Sequence, residues 1–121
     1  MFTGNELPSF DLKRMVKNYR NPNGDIRWCR KLKFGSHKEG HPALLIRDYL
    51  DKKLVLPCTS ADDKRFFLLN DVRVFWYWLR KKNTFASHLP ELVPLDSFGT
   101  RDGYLTSRGK SEFRAWVFER L

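Results

Sequence analysis

Four runs of cationic side chains carry the most evident chemistry in this sequence of 121 residues: Lys13/Arg14/Lys17/Arg20, Arg27/Arg30/Lys31/Lys33, Arg80/Lys81/Lys82 and Arg101/Arg108/Lys110. Closely spaced guanidinium and ammonium groups hold phosphates, arginine as a two-pronged donor and lysine as a point charge. Lys and Arg number 23 against 14 Asp and Glu, a formal net charge of +9, so the pull on a polyanion reaches out to a Debye length rather than to contact alone. Arg27, Arg30, Lys31 and Lys33 are the first candidates for phosphate contact. Arg80, Lys81, Lys82, Arg101, Arg108 and Lys110 are the second. The same residues also suit the solvated face of an ordinary basic protein. Charge therefore identifies a class of partner, nucleic acid (DNA or RNA), and no particular target.

Other chemistry is thinner. Cys29, His37, His41 and Cys58 include a His-x3-His spacing that can bind zinc, but no Cys-x2-Cys pair accompanies it and Cys29 falls on a predicted strand. No metal and no other cofactor is expected. His88 has no partner nearby in sequence. A nuclease gathers carboxylates around a divalent cation, often beside a lysine, and Asp48/Asp51/Lys53 or Asp62/Asp63/Lys64 offer those types. Their spacing fits surface charges equally well, so the expectation is a protein that is not an enzyme. Gly35 and Gly40 lack the Gly-Lys-Ser/Thr ending of a phosphate loop, and no nucleophile elbow is present. Trp28 and Tyr19 lie among basic residues, where an exposed ring could stack on an unpaired base, although most of the aromatic residues fall at core-facing positions.

What must position these groups is read from the apolar pattern. At 41% hydrophobic and 15% aromatic residues, the chain has the apolar surface that folding needs. Residues 1–9 read as a flexible lead-in and residues 10–121 as a single α+β domain with an N-terminal β-hairpin, about three α-helices and a short second β element. The hairpin spans Phe10 to Phe34 around Asn21-Pro22-Asn23-Gly24, where Gly24 can take the left-handed position. In its second arm Ile26, Trp28, Leu32 and Phe34 alternate with Arg27, Cys29, Lys31 and Lys33, with only Arg30 breaking the apolar side. The first arm is ambiguous, because Leu12, Met15, Val16 and Tyr19 also keep helical spacing behind a Ser9 cap. Pro42 opens a predicted helix over 42–53, with a stripe of Leu45, Ile46, Tyr49 and Leu50. Leu54 to Cys58 reads as a short strand or extended crossing, and Arg65 to Leu69 as a brief buried strand. The strongest helical pattern, Val72, Phe75, Trp76 and Leu79, predicts a helix over 71–82. Residues 83–97 read as an irregular connection, Thr100 to Gly103 as a turn, and Thr106 or Ser107 as the cap of a last helix that buries Phe113, Trp116 and Val117.

Tyr104-Leu105-Thr106-Ser107-Arg108-Gly109-Lys110 resembles the strand-to-helix step that follows the wing in winged-helix transcription regulators. The resemblance covers about seven residues. It implies a winged-helix-like alternative fold, with Leu95 to Phe98 as the other strand and Gly99 to Gly103 as the wing, and it favours DNA slightly over RNA. The functional expectation is thus non-enzymatic nucleic-acid binding through clustered Lys and Arg. The rival is a basic interaction module or inhibitor that docks on an acidic or nucleic-acid-binding surface of a larger protein or nucleoprotein complex, anchored by the aromatic run Phe75 to Leu79; a homodimer through that run suits either. No stretch approaches the roughly 20 apolar residues of a membrane span, and the first ten residues lack a secretory plan, so the expected location is cytoplasmic, or nuclear in a eukaryote.

Overall fold

The computed structural model describes residues 14–17, 22–32, 40–74 and 84–120. It is mostly β, with 47% of those residues in strands and 24% helical. Eight strands are present among them: β1 (Asp25–Cys29), β2 (His41–Tyr49), β3 (Lys52–Thr59), β4 (Phe67–Leu68), β5 (Val72–Val74), β6 (Phe85–Ala86), β7 (Glu91–Pro94) and β8 (Phe98–Leu105). A short 3-10 turn at Leu95–Ser97 precedes β8, and one long helix, Ser107–Arg120, follows it. Every pairing is antiparallel, in the order β4-β6-β3-β2-β1-β8-β5, with β7 also paired to β3.

The sheet has to curl. Seven strands laid flat at about 4.8 Å spacing would hold the outermost two about 29 Å apart. Those two, β4 and β5, are joined only by Leu69, Asn70 and Asp71, a link that reaches about 14 Å at full extension. The result is a half-barrel with an inner and an outer face. Leu44 and Ile46 of β2, Leu54, Leu56 and Cys58 of β3, Ile26 of β1 and Leu105 of β8 fill the inner face. Onto them pack Phe113, Trp116 and Val117 of the helix, spaced three and four apart as one helical stripe, together with Val16. Ala43, Leu45, Val55, Cys29 and Val93 form a second cluster on the outer face.

This architecture replaces the expected α+β domain with about three helices. No helix spans 42–53: β2 and β3 form a hairpin there, with Tyr49 opposite Lys52. The apolar run Ala43-Leu44-Leu45-Ile46 is buried because it serves both faces of the sheet in alternation. An irregularity between Leu45 and Arg47 leaves Ile46 as the extra residue of a bulge. The N-terminal hairpin is absent too. Residues 14–17 are helical, and β1 pairs with β2 on one side and β8 on the other. Gly24 does have a positive φ, 83°, but it steers the chain into β1, its N–H donating to the Leu45 carbonyl at 3.0 Å. Val72 to Val74, expected to open a helix, are strand β5, paired with β8; residues 75–82, like the 1–9 lead-in, lie outside the described residues. The winged-helix alternative also falls. Leu95–Ser97 is a 3-10 turn, and the proposed wing is the middle of β8, a strand flanked by β1 and β5.

One strained position marks the hairpin tip. Leu50 has φ 55° and is 88% exposed, so it bears the left-handed penalty of about 1–2 kcal/mol and buries almost nothing in return. Leu50→Asn, which tolerates that conformation, is expected to raise stability by about 0.5–1 kcal/mol, read as an upward shift in thermal midpoint.

Candidate nucleic-acid interface

The structure distributes the sequence-derived cations around the sheet, and it gives most of those described a partner. Arg27 lies on the outer side of β1 and donates from Nε and Nη2 to the Gly99 carbonyl, at 3.3 and 2.9 Å. Arg30 is exposed in the bend after β1. Lys31 faces Asp96 at 3.6 Å. Arg101 of β8 donates from Nε to Asp25 Oδ1 at 3.0 Å, and its Nη2 lies 2.9 Å from the same oxygen. Arg108, in the first turn of the helix, lies 3.6 Å from Asp71 and 3.5 Å from Glu112. Lys110 is half-buried, with its side chain beside Gly24. Lys33, Arg80, Lys81 and Lys82 lie outside the described residues.

Only part of this set converges. The register places Arg27 opposite Arg101, and Tyr104 between Asp25 on one side and Arg73 on the other. Side chains alternate across a strand, so Asp25, Arg27, Arg101, Tyr104 and Arg73 share the outer surface of β1, β8 and β5. The Arg101 guanidinium stands over the Tyr104 ring, 4.7 Å from its centroid, a cation–π arrangement. Arg73 is exposed. Arg108 and Lys110 belong to the helix, and Arg30 and Lys31 to the far end of β1, so the ten candidates do not form one patch.

Sequence reasoning missed Arg73 and Tyr104. Arg73 was assigned to a helix, and Tyr104 was named only as the first residue of the stretch that resembles the step after a wing. The Val72-Arg73-Val74 alternation is the signal that finds Arg73 on a strand face.

Of the four residues weighed as metal ligands, the three described do not converge on one site. Cys29 belongs to the outer cluster and Cys58 to the inner one, so the sheet separates the thiols. His41 sits opposite Cys29, yet its Nε2 donates to the Cys58 carbonyl, which commits that nitrogen. His37 lies outside the described residues. Among the described residues no group of three or more His, Cys, Asp or Glu side chains is placed to hold a metal. Two of the four carboxylates weighed for nuclease chemistry have ordinary partners: Asp48 pairs across the hairpin with Lys53, and Asp63 accepts from Arg65 Nε and Nη2 at 3.0 and 2.8 Å. That guanidinium holds the Asp63 carboxyl well below the usual carboxylate range. His88 stacks on Phe66, with centroids 5.7 Å apart.

Burial raises both thiols above the ordinary cysteine value, Cys58 the more strongly, with the Asp102 charge adding to the effect there. A group with a raised folded-state pKa stabilises fully below its unfolded pKa and loses that contribution as pH climbs toward the folded value. The protein is therefore expected to lose stability as pH rises above about 8.5, where the unfolded thiols ionise, by up to about 1.4 kcal/mol per pH unit for each thiol. Urea unfolding at pH 7.5 and 9.5 checks this. Cys58→Ala should flatten the dependence.

Among the described residues no helix is long and apolar enough to cross a membrane. No family model matches the sequence, and no curated protein matches it.

Proposed function

We propose that this protein binds nucleic acid without catalysing a reaction on it, in the cytoplasm or, in a eukaryote, the nucleus. The observation that carries the reading is the excess of 23 Lys and Arg over 14 Asp and Glu, an imbalance whose natural counterpart is a phosphate backbone. The carboxylate partners of the candidate cations do not argue against it. Lys31 and Asp96 are 57% and 77% exposed, and Arg108 is 81% exposed. Exposed pairs of this kind contribute about 0–1 kcal/mol, so a phosphate can displace the carboxylate at small cost. The preference for DNA over RNA rested on the winged-helix resemblance and goes with it.

Gel shifts at low salt with duplex and single-stranded DNA and RNA test the proposal. Binding should weaken linearly in log Kd against log salt, with a slope set by the number of phosphates contacted. Absence of binding to all four would refute it. The rival reading, docking on an acidic or nucleic-acid-binding surface of a larger protein complex, is anchored on Phe75 to Leu79, which lie outside the described residues.

A further inference from the structure

We infer that the outer surface of β1, β8 and β5 is a stacking platform for single-stranded nucleic acid, with Arg101 and Tyr104 receiving a base and Arg73 and Arg27 receiving the flanking phosphates. This rests on the nucleic-acid reading and adds to it a strand state and a location.

Three observations carry the inference. First, the register sets Arg73, Tyr104 and Asp25 in one row across β5, β8 and β1, and sets Arg101 beside Arg27 in the next. Among the described residues, three guanidiniums thus share this face with one carboxylate over a strip that is about 10 Å wide, two strand spacings. Second, the Arg101 guanidinium already lies over the Tyr104 ring, 4.7 Å from the centroid, and Asp25 grips it at 2.9–3.0 Å. A guanidinium plane oriented in this way accepts a stacked base much as an aromatic ring does, and a fixed pair surrenders little side-chain entropy on binding. Third, the Arg27 guanidinium is anchored on the Gly99 carbonyl through Nε and Nη2, which aims it across the same face. Arg73, on the last strand of the sheet path, has no ion pair among the described residues.

Strand state follows from shape. A duplex hides its base faces and is read by an element that enters a groove. Among the described residues the outer surface of these strands carries no such projection, whereas a single strand can splay its bases onto a flat stack and lay its backbone along the arginines.

Fluorescence anisotropy with 12-nucleotide oligothymidylate and oligouridylate, and with a 12-base-pair duplex, tests this at low salt. Wild-type protein should bind both single strands at least several-fold more tightly than the duplex. Tyr104→Ala should weaken single-strand binding roughly ten-fold or more, while Tyr104→Phe, which keeps the ring, should bind like wild type. Arg73→Ala should lower the log–log salt slope by about one. Because Arg73 is exposed, that variant keeps the test valid even where Tyr104→Ala impairs folding. Equal or tighter duplex binding overturns the platform, as does undiminished single-strand binding by both Tyr104→Ala and Arg73→Ala; in either case the broader reading survives. No binding by wild type to any oligonucleotide removes both.

Discussion

Phe113→Ala lowers the free energy of unfolding by about 3–5 kcal/mol, the range for emptying a fully buried aromatic site. Phe113 is 0% exposed. Its ring meets Phe67 edge-on, with centroids 5.4 Å apart and planes at 81°, and lies 5.6 Å from Trp116. It thereby joins the helix to β4, one end of the curled sheet. Truncation removes the buried area, the aromatic contacts and the filling of a site whose walls are strands and cannot collapse onto it. A domain of this size has about 5–15 kcal/mol in total, so a fall of on the order of 10–20 °C in thermal midpoint is expected. Phe113→Leu should recover most of the loss, and a loss below about 1 kcal/mol would show that the helix does not depend on this contact.

Gly109→Ala is expected to destabilise by about 2–3 kcal/mol, against the usual sign. Within a helix this replacement ordinarily gains about 1 kcal/mol. Here an alanine Cβ would stand 2.4 Å from the Asp71 carbonyl oxygen and 3.2 Å from the Leu105 side chain. The oxygen cannot step aside, because it accepts from the Thr106 N–H at 3.0 Å and from the Thr106 hydroxyl at 3.1 Å. Asp71 also belongs to the three-residue link that brings the ends of the sheet together, so moving it disturbs β5 as well. Overpacking against fixed backbone costs about 1–3 kcal/mol. Chemical unfolding of the two proteins measures the difference, and a more stable alanine variant would refute the close approach.

The C-terminal helix was legible in the sequence because its signals are local. The cap and the buried stripe are both read within fifteen residues, and Thr106 does accept from the Gly109 N–H at 3.1 Å. The sheet was not legible, because its determinants are not local. Leu45, Ile46, Tyr49 and Leu50 satisfy a helical template, yet the run from Ala43 to Ile46 is buried on both faces of a central strand, a state that periodicity alone cannot separate from a helix. Thr100 to Gly103 reads as a turn on residue types. In the structure Gly103 lies opposite Ile26, and the register shifts between β1 and β8 absorb the irregularity.

The candidate interface divides in the same way. Arg27 and Arg101 were identifiable as cations from composition. Their juxtaposition was not, since the register sets Arg27 opposite Arg101, more than seventy residues away in sequence, and the Asp25 to Arg101 ion pair spans a similar separation. Carboxylate partners such as Asp25, Asp71 and Asp96 are invisible to a search for basic runs, although they decide which guanidiniums are held and where they point.

That long-range pairing also sets a clock on biosynthesis. Gly103 completes the neighbour of Ile26 only after 77 further residues have been made, which takes about 4–15 s at ordinary elongation rates. Through that interval β1 can pair with β2 but must wait for β8, so one side of it stays open on the nascent chain. The β2–β3 hairpin, closed by two residues at Leu50 and Asp51, is available from early on. Slow elongation or truncation before β8 would leave the half-finished sheet as a template for unwanted strand addition.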